Sequence, residues 1–264
     1  MAWIWAALMP HPPIIVPGVG KGREREAGVT LDGVAGVMER LKVLGAPDRI
    51  LLLSPHQPYA SGAFAINGAR LIKGGLSPFG APVSFELHTP VEDAKRVAER
   101  LGEDGVLAGV IESGSLDRDQ GSAVPLYFLR ECYGTLPAII LSSPIGLDRS
   151  QAFKLGQSLA SFEDGRKWGL IASGDLSHRL KPGAPAGFNP AGEKFDSAVV
   201  ESLKRTDASL LLDMPRHVID GAGECGMRSV LAMIGMVSSF DGKIDVLSYE
   251  GPYGVGYCNA VWIP

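Results

Sequence analysis

A chain of 264 residues with 45% hydrophobic content is long enough for one large α/β domain with a substantial core. A formal net charge of -4 and a pI near 5.8 argue against a nucleic-acid or anionic-membrane partner. Three scattered cysteines, Cys132, Cys225 and Cys258, make no disulfide framework and fit a reducing cytoplasm. No basic region precedes the first apolar stretch, and Pro10, Pro12 and Pro13 follow it at once. Neither a signal peptide nor a membrane span is expected.

Residues 2–8 and 49–53 are short apolar runs closed by proline or Ser-Pro, which reads as buried strands. Between them Leu31, Val34, Val37, Met38, Leu41 and Leu44 recur at helical spacing, with Thr30 as N-cap and Gly45 as the stop. A long loop covers 12–26. Asn67-Gly68 between apolar flanks predicts a two-residue hairpin within 63–73. A strand follows at 83–87, and Pro90 opens a helix through Leu101. Residues 106–111 read as a strand and 122–133 as an apolar helix, with Pro125 tolerable only in its first turn. Strands at 137–142 and 168–172 enclose a helix at 148–160. Helices are expected at 191–204, from Asp207 to Leu212, and from Gly223 or Glu224 to about Val237. Strands at 244–249 and 255–262 close the chain. Strand and helix alternate, with hairpins inserted and no internal repeat. The expected fold is therefore a single α/β domain over 1–264, a mixed central β-sheet flanked by helices on both faces, with no second domain after Pro264.

Two of the five histidines share one placement. His11 in Pro10-His11-Pro12-Pro13 and His56 in Ser54-Pro55-His56 each lie just past a strand end, where an α/β sheet opens into its ligand crevice. Two neutral imidazoles on a rigid edge begin a metal site. Glu224, in Gly221-Ala222-Gly223-Glu224-Cys225-Gly226, is the best third ligand, because a carboxylate is favoured at the head of the apolar helix that follows. Cys225 is the alternative, a soft ligand near a helix start. Two histidines and a carboxylate suit Fe(II), and the same set accepts Zn or Mn.

Ser173-Gly174-Asp175-Leu176-Ser177-His178 also follows a strand. His178 is a natural acid/base facing an open metal site, and Asp175 is placed to orient it or to brace a ligand histidine. His88 reads as structural or as part of a substrate rim, His217 as surface, and Cys132 and Cys258 as core. The glycines at 18, 20 and 22 lack the Lys-Ser/Thr of a phosphate loop and read as a flexible loop.

Taken together, Pro10-His11-Pro12-Pro13, Ser54-Pro55-His56, Asp119-Gln120-Gly121, Ser173 to His178, Gly223-Glu224-Cys225-Gly226 and Gly251-Pro252-Tyr253-Gly254 resemble the class III extradiol ring-cleavage dioxygenase family. The resemblance is to the catalytic subunit type of protocatechuate 4,5-dioxygenase, most nearly the branch related to Memo proteins and AMMECR-associated domains. It implies Fe(II) held by His11, His56 and Glu224, with His178 as catalytic acid/base. The implied reactants are a small aromatic substrate, catechol- or aminophenol-like, and dioxygen; a homodimer is the implied assembly. One position departs from the family pattern. Gln120 stands where a histidine usually precedes the glycine, and an amide positions without titrating near neutral pH. In the Memo-like branch a cysteine is implicated at the third-ligand position, and ring cleavage is not the expected role. The competing readings are a metal-binding or interaction protein without ring cleavage and a metal-dependent hydrolase.

Overall fold

Apolar runs too short for lone helices become the middle of one sheet in the computed structural model, which describes residues 2–264. In chain order the elements are β1 (Trp3–Met9), α1 (Pro17–Gly20), α2 (Gly28–Leu44), β2 (Arg49–Leu53), β3 (Phe64–Asn67), β4 (Leu71–Gly75), β5 (Ser84–His88), α3 (Val91–Glu103), β6 (Ala108–Ile111), α4 (Gln120–Tyr133), β7 (Ala138–Ser143), α5 (Arg149–Ala160), β8 (Trp168–Ser173), α6 (Ala191–Arg205), α7 (Ser209–Leu212), α8 (Arg216–Ala222), α9 (Met227–Val237), β9 (Asp245–Glu250) and β10 (Tyr257–Trp262). Eight strands form the main sheet in the order β6-β3-β7-β2-β8-β1-β10-β9, and β4 pairs with β5 in a separate hairpin. The centre is parallel, β7-β2-β8-β1, while β10 runs antiparallel to β1 and β9. This is the mixed sheet expected from the alternating pattern.

Helices cover both faces. Val34, Val37 and Leu41 of α2 and Ala123, Val124 and Leu126 of α4 pack on one side. Leu155 and Leu159 of α5, Phe195 and Val199 of α6, and nearly all of α9 pack on the other. Side chains of a regular strand alternate between faces, which would place Trp3 and Trp5 together. A register shift between them against β8 sends Trp3 into one core and Trp5 into the other. Gly169 on β8 lies directly against the Trp5 ring, so any side chain there would overlap the indole.

Five local expectations change. Asn67-Gly68 makes no hairpin: β3 pairs with β6 and β7, and β4 with β5. The Asn67 amide instead donates to Gln57 Oε1 at 2.9 Å and to the Ser113 carbonyl at 2.9 Å, and its oxygen accepts from Ala69 N. Asn67 thus serves a tertiary network, a role that local turn statistics do not separate from a type I′ turn. Thr30 is not the cap of α2. It lies inside the helix, buried, with N and Oγ1 both donating to Glu250 Oε1. Pro125 is the sixth residue of α4, beyond the first turn, so the Gly121 carbonyl lacks its usual intrahelical donor. The segment before the last helix holds its own helix α8, ended by Gly223 in the left-handed conformation, and α9 begins only at Met227. The loop at 12–26 is made of short helical turns. No helix among the described residues is long and apolar enough to cross a membrane.

Candidate metal centre

The register of the parallel strands assembles the site. Met9 pairs with Ser173 and Leu53 with Ala172, so β1, β8 and β2 end side by side. Their C-terminal extensions carry His11, the 174–178 segment and His56 to one edge of the sheet. His11 is buried. Its backbone N donates to Asp175 Oδ1 at 2.8 Å, and its Nδ1 lies 2.9 Å from Ser173 Oγ. An Nδ1–H donated to that hydroxyl leaves Nε2 as the free lone pair. Burial, helped by the neighbouring His56, holds the His11 ring down at about 3, so it is neutral near pH 7.

His56 stands opposite, its Nε2 3.2 Å from His11 Nε2. The turn that carries it is clamped by Asp119, the N-cap of α4. That buried carboxylate accepts from Ser54 Oγ at 2.6 Å, Gln57 Nε2 at 2.5 Å and Ser122 N at 2.9 Å. Ser54 Oγ in turn accepts from His56 N at 3.1 Å. Gly121 lets α4 approach, since a Cβ there would overlap Ser54 Oγ and lie 3.1 Å from His56 Cδ2. Gln120, between the two, places its Nε2 3.1 Å from His56 Nε2. The Asp119-Gln120-Gly121 triplet therefore acts as one device that holds and faces His56.

The third side chain that could donate at this edge is Cys225. Its Sγ lies 3.7 Å from His11 Nε2, and the donor atoms of His11, His56 and Cys225 all fall within 4.8 Å of one another. Burial pushes the Cys225 thiol well up, and the Asp175 carboxylate adds to this, so the sulfur keeps its proton until a cation supplies the counter-charge. Two nitrogens on one tetrahedral ion at about 2.0–2.1 Å sit roughly 3.3 Å apart, and nitrogen and sulfur roughly 3.6 Å apart. The observed separations of 3.2 and 3.7 Å fit a single ion.

Glu224, expected as that ligand, faces elsewhere. Its Oε2 accepts from Met227 N at 2.7 Å, and its Oε1 lies 3.9 Å from Arg228 Nη1, so it caps α9. A carboxylate does stand at the head of α9, and the helix takes it for its own N–H groups. The left-handed Gly223 and the close passage of Gly226 turn Cys225 inward in its place. A Cβ on Gly174 would overlap Gly226 Cα, and a Cβ on Gly226 would lie 2.8 Å from the Asp175 carbonyl. Only two glycines allow these backbones to cross, and the crossing sets Cys225 Sγ 3.6 Å from that carbonyl.

His178 comes to the same place, its Nε2 3.7 Å from Cys225 Sγ. Burial lowers its pKa, with Asp175 opposing, which leaves a neutral ring able to take up a proton. Asp175, raised to about 6 by burial, braces His11 through its backbone. The remaining residues lie apart. His88 lines a cavity of about 480 Å³ with Pro137 and Ala138, at the start of β7 and thus the opposite sheet edge. His217 is exposed on α8, Cys132 is half-buried and Cys258 fully buried.

The α/β fold gathers two imidazoles, a thiol and a facing histidine at one sheet edge, a group that could hold a metal ion. The chain belongs to the family described as the catalytic LigB subunit of aromatic ring-opening dioxygenase, which residues 5–259 match. It is 32% identical over 260 residues to Protein CA_C1420 of Clostridium acetobutylicum, covering 95% of this chain and 55% of that protein. The chain thus spans about half the length of the curated relative it matches. It shares its fold with the crystal structure of uncharacterized protein JW3007 from Escherichia coli K12, at a TM-score of 0.58 and 15% identity over 98% of this chain and 99% of that one.

Proposed function

We propose that this chain holds one metal ion with His11, His56 and Cys225, and that it is a metal-binding member of its family with a centre softer than a two-histidine, one-carboxylate set. The observation that carries this reading is the position of Cys225 Sγ within 4.8 Å of both imidazoles while Glu224 caps α9. Imidazole and thiolate together favour Zn or Cu over Mn or Mg. When bound, such an ion supplies Lewis acidity at the open side of the site. The protein's own part is to hold both imidazoles in place, His11 through Ser173 and the His56 turn through Asp119, and to keep His178 ready to accept a proton. Gln120 offers an amide that orients without exchanging protons.

A second reading is an Fe(II)-dependent extradiol dioxygenase that opens a catechol- or aminophenol-like ring. Family membership supports it, as does His178 beside the site, where a base would take a phenolic proton from a bound substrate.

One experiment separates the two. Wild type, Cys225→Ser and Glu224→Gln are loaded anaerobically with Fe(II), Zn(II) or Cu(I), their metal content is measured, and oxygen uptake is followed with a catechol panel. The first reading expects tight Zn or Cu binding, lost in Cys225→Ser, kept in Glu224→Gln, and no turnover. Metal binding that survives Cys225→Ser but fails in Glu224→Gln, or Fe(II)-dependent ring opening, would overturn it.

A further inference from the structure

A strand at the end of a sheet carries a row of backbone groups without partners. β5 is such a strand, paired with β4 alone. Lys73 N donates to the Gly114 carbonyl and Leu116 N to the Lys73 carbonyl, so both backbone groups of Lys73 point away from β5. Glu86, directly opposite Lys73, therefore sits in a non-hydrogen-bonded pair, and its own N–H and C=O point away from β4. Ser84 and His88 follow by alternation. The Ser84 carbonyl shows the direction, since it accepts from Arg130 Nη1 at 3.0 Å. The Glu86 and His88 backbone groups meet no partner on that side among the described residues.

This free edge faces the cavity of about 480 Å³ at the start of β7, which every residue of β5 lines. Ligand sites span about 300–1,000 Å³. The far wall is a second open edge. Ser54 N donates to the Ser142 carbonyl, so Ala138, Ile140 and Ser142 face β2 and Ile139 faces away. β3 reaches only Ser142 and Ser143, and no backbone pairing joins β7 to β5 among the described residues. Arg130 also lines the cavity, its guanidinium 4.7 Å from the Phe85 ring centroid and anchored on the Ser84 carbonyl. No carboxylate pairs with it among the described residues. The lining acid, Glu86, is already paired with Lys73 at 2.8 Å.

We infer that this groove takes an extended peptide that ends in a free carboxylate and adds to β5 as an antiparallel strand. The open backbone selects a strand as occupant, because main-chain hydrogen bonds along an exposed edge supply its affinity. The place of Arg130 selects the direction. It sits at Ser84, the first residue of β5, and a chain antiparallel to β5 ends there. A guanidinium held by one ring and one carbonyl keeps N–H groups for a carboxylate, and its charge is complementary. The five residues of β5 offer about 17 Å of edge. The groove lies at the opposite sheet edge from His11, His56 and Cys225, so the inference is independent of the metal centre.

The test uses the full chain and a pool of fluorescein-labelled hexapeptides randomised over Val, Ile, Phe, Thr and Ser, made with free or amidated C-termini and read by anisotropy. The expected result is saturable binding of the free-acid pool and at least fivefold weaker binding of the amidated pool. Arg130→Met is expected to remove that difference, and Arg130→Lys to keep part of it. Glu86→Pro deletes an outward N–H that β4 does not use and is expected to weaken binding at least fivefold. Glu86→Ala keeps that N–H and is expected to bind as wild type does. Amide hydrogen exchange by NMR reports the folding of each variant, and in wild type it is expected to slow at Glu86 and His88 when the free-acid pool is added. No saturable binding, equal affinity for the two pools, a difference that survives Arg130→Met, or no slowing at Glu86 and His88 would overturn the inference.

Discussion

Gln120 Nε2 lies 3.1 Å from His56 Nε2, so the first residue of α4 faces the ring nitrogen that points to His11. An amide N–H donated to that lone pair occupies it while no cation is there, and the amide must yield when one binds. Gln120→Leu removes the competitor without removing a donor of the centre. Zn(II) affinity, read by competition with a chromophoric chelator, is expected to stay at or slightly above the wild-type value. A loss of about tenfold, roughly 1.4 kcal/mol, would instead make Gln120 a ligand.

Glu224 carries a helix. Its carboxylate takes the Met227 N–H at 2.7 Å at the head of α9, an 11-residue helix buried along most of its length. Losing a cap of this kind costs about 1 kcal/mol. Glu224→Ala is therefore expected to lower the unfolding free energy read from urea titration by that amount while metal content stays at the wild-type level. A fall in metal content at unchanged stability would restore the carboxylate as a ligand.

What the sequence disclosed here was where elements end. His11, His56 and His178 each follow a strand of the parallel centre, and an α/β sheet opens at those ends, so their meeting was legible before any coordinate. Which side chain of Glu224-Cys225 turns inward was not, because it depends on Gly223 in the left-handed conformation and on Gly226 crossing Gly174, both long-range facts. Asn67 failed for the same reason, its amide being used by Gln57 and Ser113.

The glycine crossing gives a sharper test of how Cys225 is placed. A methyl on Gly226 would sit 2.8 Å from the Asp175 carbonyl, and one on Gly174 would overlap the Gly226 backbone. Backbone cannot rotate aside as a flexible side chain does, so either alanine must push the two segments apart. Overpacking of this sort costs about 1–3 kcal/mol. Gly174→Ala and Gly226→Ala are each expected to destabilise by that amount and to weaken metal binding, since the displaced Cys225 leaves His11. Gly22→Ala, where a Cβ has open space, serves as the control for a solvent-facing glycine with positive φ and is expected to leave the metal affinity unchanged.

Asp196 supplies a pH signature away from the metal ligands. It is fully buried, with Oδ1 accepting from Ser177 N and Oδ2 from Tyr249 Oη, each at 2.8 Å, and burial pushes it up to about 7 from an ordinary 3.8. Between those pH values the folded protein keeps a proton that the unfolded chain has released. Stability from this group is thus full below about pH 4 and is lost as pH rises to 7. Asp196→Asn mimics the protonated acid, with Oδ1 still accepting from Ser177 N and an amide N–H donated to Tyr249 Oη. Asp175 and Glu224 are also raised by burial and are shared by both proteins, so Asp175 cancels in the difference, while the Glu224 charge is itself one of the causes that raise Asp196. Urea unfolding of the two proteins from pH 4 to 7 is expected to show wild type losing a few kcal/mol relative to Asp196→Asn, at about 1.4 kcal/mol for each pH unit separating the folded and unfolded pKa values. A difference that stays flat across the window would mean that Asp196 is ionised in the fold, its charge carried by the Ser177 and Tyr249 donors alone.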